Sequence, residues 1–335
     1  MTMDGSEPAL HVVGLGNAIV DVIAEVGDEL IERLDLHKGT MHLIDQGRMD
    51  ALYAAMPPGL EMSGGSCANS MAALASLGAR AGYVGKVRDD QLGEIFAHDI
   101  RAAGVDFRTR PLEQGPPTAR CLVFVTPDAQ RTMTTFLGAC VELGPDDVDE
   151  AQIRSAGITY LEGYLWDRPD AKAACLRAVE IAHRHGRKVA LTLSDPFCVE
   201  RWHEEFVDLV EHHVDILIGN EAEVTRLFGV ASFEAAVEAA RDRCPVAALT
   251  RGARGSMVIE AGDVVGIEAA PVARVLDTTG AGDLYAAGLL MGLSHGFGAA
   301  RAGRLASLAA GAILDQYGAR SEHPLEPLVD LSRSA

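Results

Sequence analysis

The sequence predicts an α/β fold built on a central, mostly parallel sheet flanked by helices. Short apolar runs alternate with longer stretches of helical periodicity over most of the 335 residues, the pattern of repeated βαβ units. The apolar runs end in polar or glycine-rich turns, where open α/β sheets place ligands. Hydrophobic residues make up 48% and aromatic residues 5%, so a large core of Ala, Val, Leu and Ile is expected.

Taken in order, the strands are expected at 11–15, 81–84, 158–162, 188–193, 216–219, 246–250 and 256–260. Between them, helical periodicity marks 68–77, 92–103, 169–185 and 232–243. Two stretches break the rhythm, roughly 22–45 and 117–141. The second holds the β-prone runs 121–125 and 132–137, so both are read as non-helical insertions forming a small β lid over a site. Residues 280–316 read as helical and rich in Ala and Gly. The tail after Gly318 is polar and is expected to be peripheral. The whole chain, 1–335, is read as a single domain.

Charge narrows the function. Lys plus Arg number 29 against 48 Asp plus Glu, a net charge of -19, which argues against nucleic-acid backbones and anionic membrane surfaces as partners. The six cysteines stand far apart without a CxxC pair, which fits a reducing compartment and no zinc motif. The start, residues 1–7, lacks the basic and apolar regions of a signal peptide, and no apolar run reaches the roughly 18 residues of a membrane span. The expected location is the cytoplasm.

The segment with the most chemistry is Asp277-Thr278-Thr279-Gly280-Ala281-Gly282-Asp283, followed by small residues in a helical pattern. The glycines allow a tight turn, and the free N–H groups of the helix start make an anion site. Asp283 falls in the first turn, beside that anion, where a carboxylate is unfavourable unless it accepts a proton from an attacking hydroxyl. The plainer alternative is a glycine turn with a helix-start charge.

Three further segments gain meaning beside it. Ser63-Gly64-Gly65-Ser66-Cys67-Ala68-Asn69 offers backbone approach and an amide, and by itself is equally a capped glycine turn. Gly14-Leu15-Gly16-Asn17 begins like a dinucleotide fingerprint but has Ile19 at the third glycine position. Its Asn17 and Asp21 suit a vicinal diol. Asn220 and Glu223 close the apolar run 216–219, as an oxygen-rich pair for Mg²⁺ or as an ordinary helix cap. The loop from Thr250 through Gly252 to Gly255 could cover a nucleotide, or be a glycine hairpin. Arg131 lies in the lid-like stretch, where surface arginines are common. No GxxxxGK[ST] loop, HExxH pair or GxSxG elbow occurs. A hydrolase using Ser66 would leave the Asp277–Asp283 segment unexplained, and a silent nucleotide-binding protein would have no use for an intact Asp283.

Together, the Asp277–Asp283 motif, the Asn220-x-x-Glu223 strand end and the glycine-pair helix resemble the ribokinase-like (PfkB) carbohydrate kinases, over nearly the whole chain. Within that family the chain is most similar to the adenosine kinases. The points of similarity are Gly16-Asn17 with Asp21, Gly64, Gly65, Ser66 and Asn69, and Arg131 with Leu137. The resemblance implies ATP-dependent phosphorylation of a hydroxymethyl group, here the ribose 5′-hydroxyl of adenosine in purine salvage. A free sugar such as ribose or fructose, or inosine or guanosine, is the alternative. It implies Asp283 as general base and the backbone of Gly280, Ala281 and Gly282 as anion hole. Asn17, Asp21, Gly64, Gly65, Ser66 and Asn69 then line the ribose site. Thr40, His42, Cys121, Leu137 and Tyr164 fall near the nucleobase, His42 standing where an aliphatic residue is expected. Asn220, Thr250, Gly252, Gly255, Thr278 and Ser307 are implied for ATP, Asn220 and Glu223 for Mg²⁺ through water, and Arg131 for the transferred phosphate. A monovalent cation near Asp277, and monomer against homodimer, stay open.

Overall fold

The structure is a computed structural model and describes residues 8–128 and 130–333. The leading residues 1–7, from which no signal peptide is expected, lie outside the described residues. Fourteen strands are described: β1 Leu10–Leu15, β2 Ile19–Glu25, β3 Met41–Leu43, β4 Leu60–Gly64, β5 Ala81–Val84, β6 Asp106–Phe107, β7 Ala119–Val125, β8 Arg131–Phe136, β9 Ala156–Glu162, β10 Lys188–Thr192, β11 Ile216–Asn220, β12 Val246–Thr250, β13 Ser256–Glu260 and β14 Asp263–Ile267. Nine of them form one sheet in the order β14-β13-β12-β11-β10-β9-β1-β5-β6. It is parallel from β6 to β12 and antiparallel only at β13 and β14.

Helices cover both faces, so the strands are buried on both sides and read as continuous apolar runs. Val12, Ile158, Ala190, Ile216 and Ala248 face one core layer, with helices Ser66–Ser76, Gln91–Ala102, Ala281–Ser294 and Ala299–Gly311. Their neighbours Val13, Leu161, Leu191, Leu217 and Ala247 face the other, under helices Pro169–Arg184, His203–His212 and Phe233–Arg243. Fully burying one such aliphatic side chain contributes about 1.5–3 kcal/mol. The Ala and Gly content of the last two helices of the first layer has a direct cause. A Cβ on Gly288 would stand 2.6 Å from the Cα of Ala306, so only a glycine allows the two helices to pack this closely.

The remaining strands form a five-stranded sheet in the order β3-β8-β7-β2-β4. The stretch 117–141 supplies β7 and β8. The stretch 22–45 is not wholly non-helical as expected: Asp28–Arg33 forms a short helix with Asp28 and Glu29 in its first turn and Arg33 in its last, favourable at the two ends of the helix dipole. The tail also departs from expectation. Leu325 is 2% exposed and donates its N–H to Ser76 Oγ at 3.0 Å, which packs the segment after Gly318 against the first layer instead of leaving it at the periphery. All six cysteines are free and buried. Among the described residues no helix is long and apolar enough to cross a membrane.

Candidate active site

The parallel strands of the large sheet carry their polar residues at their C-terminal ends. Asn17 follows β1, Glu162 ends β9, Asp195 follows β10, Asn220 ends β11 and Thr250 ends β12. These strands are neighbours in the sheet, so the five residues lie along one crevice, the position open α/β sheets use for ligands.

At one end of the crevice stands Asp283, in the first turn of helix Ala281–Ser294. Gly280 precedes it in the left-handed region (φ 80°), and no side chain caps the helix, so the N–H groups of Gly282 and Asp283 in its first turn are available to an anion. A Cβ on Gly280 would meet Ala319 at 2.7 Å. The Asp283 carboxylate accepts from Ser66 Oγ at 2.6 Å and from Asn69 Nδ2 at 3.1 Å. Burial raises its pKa, and the Ser66 and Asn69 hydrogen bonds and the charge of Arg320 oppose that rise. Ser70 donates to the Asp283 carbonyl at 3.0 Å, which ties helix Ser66–Ser76 to helix Ala281–Ser294.

Asp21 lies across from it on β2. Its carboxyl is pushed up to about 7, first by burial and also by Asp283, against the pull of Arg320 and Arg131. A Cβ on Gly64 would come within 2.3 Å of Asp21 Oδ2, and one on Gly65 (φ 96°) within 2.2 Å of the Asn17 carbonyl oxygen. The glycine pair is therefore required by the close approach of β2 and the Asn17 loop. Asn17 donates through Nδ2 to Glu162 Oε1 at 3.1 Å, and Glu162 Oε2 accepts the Cys67 N–H at 3.0 Å. Glu162 is 1% exposed and its carboxyl is pushed up to about 7, mainly by burial.

Arg131 begins β8 and forms a buried ion pair with Asp277, Nη2 to Oδ2 at 2.8 Å. Asp277 also accepts from Thr279 N and Oγ1 at 3.0 and 2.8 Å and from Gly318 N at 3.1 Å. The Arg131 guanidinium is thus a cation held beside Asp277. Residues 278 and 281 close the turn, Ala281 N donating to Thr278 O at 3.2 Å.

Strand register decides which residues of the small sheet share the face of Asp21. Asp21 pairs with Cys121, Cys121 with Thr135 and Thr135 with Leu43. Paired residues share a face and neighbours along a strand alternate. Asp21, Arg131, Met41 and Leu43 therefore share one face with the apolar cluster of Cys121, Val123, Val125, Ile19, Ile23 and Met133. His42 pairs with Thr134 and falls on the opposite face, where it shares a 2.8 Å hydrogen bond with Thr40 Oγ1. The residues of β3 that share the face of Asp21 are therefore Met41 and Leu43, the neighbours of His42, and both are exposed. Leu137 is half-buried just after β8. Tyr164 follows β9, its hydroxyl donating to the Ser194 carbonyl at 3.4 Å, within electrostatic reach of Asp195, Glu162 and Glu223.

At the other end of the crevice, Asn220 and Glu223 bond each other reciprocally. Asn220 N and Nδ2 donate to the Glu223 carboxylate at 2.9 and 2.6 Å, and Glu223 N donates to Asn220 Oδ1 at 3.0 Å. The pair is a helix cap in this state. Burial pushes the Glu223 carboxyl up to about 7 and Asp195 adds to it, so two acids share a poorly solvated corner, which fits a divalent cation. Among the described residues no three His, Cys, Asp or Glu side chains converge on a metal cage; Mg²⁺ normally relies on one or two carboxylates plus phosphates and water. Thr250 leads into the Gly252–Arg254 turn, with Gly252 and Gly255 at positive φ (57° and 80°). Ser307 spends its hydroxyl on the backbone, donating to Glu268 O and accepting from Ala270 N, both at 2.8 Å.

Three polar residues that hold Asn17 and Ser63 were not singled out from the sequence: Glu162, Asp99 and Arg320. Glu162 had a usable signal, a lone acid closing an apolar run, the same signal that marked Asn17. Arg320 had none, because it is one charge among several in a tail that also carries Glu322, His323, Glu326 and Asp330.

A profile of pfkB family carbohydrate kinases matches residues 60–325. Among solved structures, the chain is similar to an adenosine kinase from Sinorhizobium meliloti, at 48% identity over 96% of this chain and 99% of that one, with a TM-score of 0.88. It is similar to a probable sugar kinase from Rhizobium etli CFN 42 at 44% identity over 97% and 99%, with a TM-score of 0.90. Among curated proteins, a 5-dehydro-2-deoxygluconokinase from Halalkalibacterium halodurans is 28% identical over 78% of this chain and 82% of its own length.

Proposed function

The chain belongs to the pfkB family of carbohydrate kinases, which are ATP-dependent phosphotransferases, and from that premise we propose that it phosphorylates the ribose 5′-hydroxyl of adenosine. The observation that carries this reading is the apolar face of the small sheet beside Asp21: Ile19, Ile23, Cys121, Val123 and Met133, with Met41 and Leu43 exposed at its edge. A free sugar has no use for such a wall, whereas a purine buries its faces on one. The likeness to an adenosine kinase at 48% identity supports it.

The likeness to a kinase of a sugar acid supports a second reading. Charge weighs against it. Asp21, Asp283, Glu162 and Asp99 gather at the acceptor end, and the guanidiniums there face acids, Arg320 toward Asp21, Asp99 and Asp283 and Arg131 toward Asp277. A neutral polyol fits this field better than a carboxylate.

In the proposed reaction, Asn17, Asp21 and Asn69 bind the ribose hydroxyls over the Gly64-Gly65 turn. Asp283, held by Ser66 and Asn69, takes the 5′-hydroxyl proton as the new O–P bond forms and the bond between the γ-phosphorus and the bridging oxygen breaks. That electron pair leaves with ADP. The N–H groups of Gly280, Gly282 and Asp283 and the Arg131 guanidinium face the charge on the transferring group, the Ala281 N–H being spent on Thr278. The small sheet acts as the lid that excludes water. When bound at Asn220 and Glu223 through water, Mg²⁺ supplies charge neutralisation on the phosphates. The test is ATP-dependent phosphorylation of adenosine, inosine, guanosine, ribose, fructose and 5-dehydro-2-deoxygluconate side by side. A clear preference for adenosine is expected; a free sugar or sugar acid turned over faster overturns the substrate and keeps the family.

A further inference from the structure

Ser63 is the residue before the Gly64-Gly65 turn, and segments from distant parts of the chain converge on it. Its N–H and hydroxyl donate to Asp99 Oδ2 of helix Gln91–Ala102 at 2.7 and 2.6 Å. From the C-terminal loop, Arg320 donates to the Ser63 carbonyl through Nε at 3.2 Å and Nη2 at 3.1 Å, and Nη2 also reaches the hydroxyl oxygen at 2.9 Å. A planar fork on one carbonyl fixes the orientation of the Ser63–Gly64 peptide in a way a flexible ammonium would not.

The surroundings of this guanidinium are equally specific. Asp99, Asp21, Asp283 and Tyr83 lie within its electrostatic reach. Facing Asp21 are Arg320, Arg131 and Asp283, with Cys121 beside it. Facing Asp283 are Arg320 and the donors Ser66 and Asn69, and Glu162, Tyr160 and Cys67 feel its charge. Arg131 is paired with Asp277, so Arg320 is the cation that Asp21 and Asp283 have in common. A tail held only by the packing of Leu325 would not require a cation to be placed here, and Nη1 is buried with no hydrogen-bond partner among the described residues.

We propose that Arg320 is a positioning residue of the phosphoryl transfer, fixing the glycine turn through Ser63 and serving Asp21 and Asp283 together through its charge. This rests on the reading of Asp283 as base and Asp21 as acceptor ligand.

The test is the pH profile of kcat/KM for the full chain with ATP and adenosine, with thermal unfolding recorded for each variant. In Arg320→Gln the acid limb should move up by about one pH unit, the size expected when a nearby opposite charge is lost, and activity should rise at high pH to a plateau several-fold below wild type, because the fork is lost too. Arg320→Lys keeps the charge and loses the fork, so its acid limb should stay in place while kcat falls several-fold. Activity of Arg320→Gln lowered uniformly at every pH, with the limb unmoved, is the behaviour of a structural clamp and overturns the proposal. If Arg320→Gln does not fold, Arg320→Lys decides: wild-type kcat in that variant overturns the proposal. Asp283→Asn is measured in parallel, and near-normal turnover there overturns the base assignment itself, whatever the Arg320 variants do.

Discussion

Arg131 and Asp277 join the small sheet to the head of the Asp277–Asp283 motif through a buried ion pair, Nη2 to Oδ2 at 2.8 Å. The guanidinium also lies 5.5 Å from the centre of the Tyr317 ring. The arginine proposed to meet the transferring phosphate is thus held beside the Asp277–Asp283 loop by its ion pair. Arg131→Ala should lower kcat about tenfold to a hundredfold, as for a lost transition-state donor, with acceptor KM nearly unchanged. A defect confined to KM would count against this role. Asp277→Asn leaves a buried guanidinium short of its partner and should destabilise the fold by about 3 kcal/mol, read by denaturant unfolding.

Asp283→Asn keeps the shape of the first helical turn and removes the proton acceptor. Ser66 can still donate to the amide oxygen. Binding of adenosine, measured by calorimetry, should survive within a few-fold, while kcat falls by about 10²–10⁴, the usual worth of a general base.

The glycine pair makes two separable expectations. Gly64→Ala sets a methyl against Asp21 Oδ2 at 2.3 Å, so acceptor KM should rise at least about tenfold with the KM for ATP little changed. Gly65→Ala instead meets a backbone oxygen at positive φ, and should cost at least about 2 kcal/mol of stability. Equal and small effects at both positions would show that the turn is looser than the close contacts indicate.

Glu162 and Asp21 are pushed up to about 7 by burial, from ordinary carboxylate values of 4.5 and 3.8. The folded chain therefore binds more protons than the unfolded chain between those values and about 7. Their contribution to stability is complete below the unfolded pKa and is lost as pH rises through the folded one. Thermal stability of the ligand-free protein should fall between pH 5 and 8, and Glu162→Gln should flatten that slope. A slope unchanged in the variant would remove Glu162 from the account.

Register separates the residues of β3. His42→Ala should leave adenosine KM within about twofold, because the pleat directs neighbouring side chains to opposite faces. Leu43→Ala should raise it several-fold, with kcat largely kept. The reverse result would place the nucleobase on the other face of the small sheet.

The sequence was legible wherever local physics suffices. Strands such as β5, β12 and β13 coincide with the apolar runs read at 81–84, 246–250 and 256–260, because a strand buried on both faces must be apolar throughout. The Asp277–Asp283 motif was legible because its glycines and acids state their own backbone and charge requirements. The strand β4, Leu60-Glu61-Met62-Ser63-Gly64, was not, since a short edge strand of mixed polarity has no period to read.

By itself, then, the sequence determined the α/β layering, the order of its segments and the resemblance to the pfkB family. Only the tertiary structure decided which residues of β3 share the face of Asp21, that Glu162 holds Asn17, and that a polar tail returns Arg320 to Ser63. The reason is physical: hydrophobic period and turn chemistry are local properties of the chain. Facing side chains depend on strand register, and the grip of Arg320 on Ser63 forms only when residues 257 positions apart are brought together.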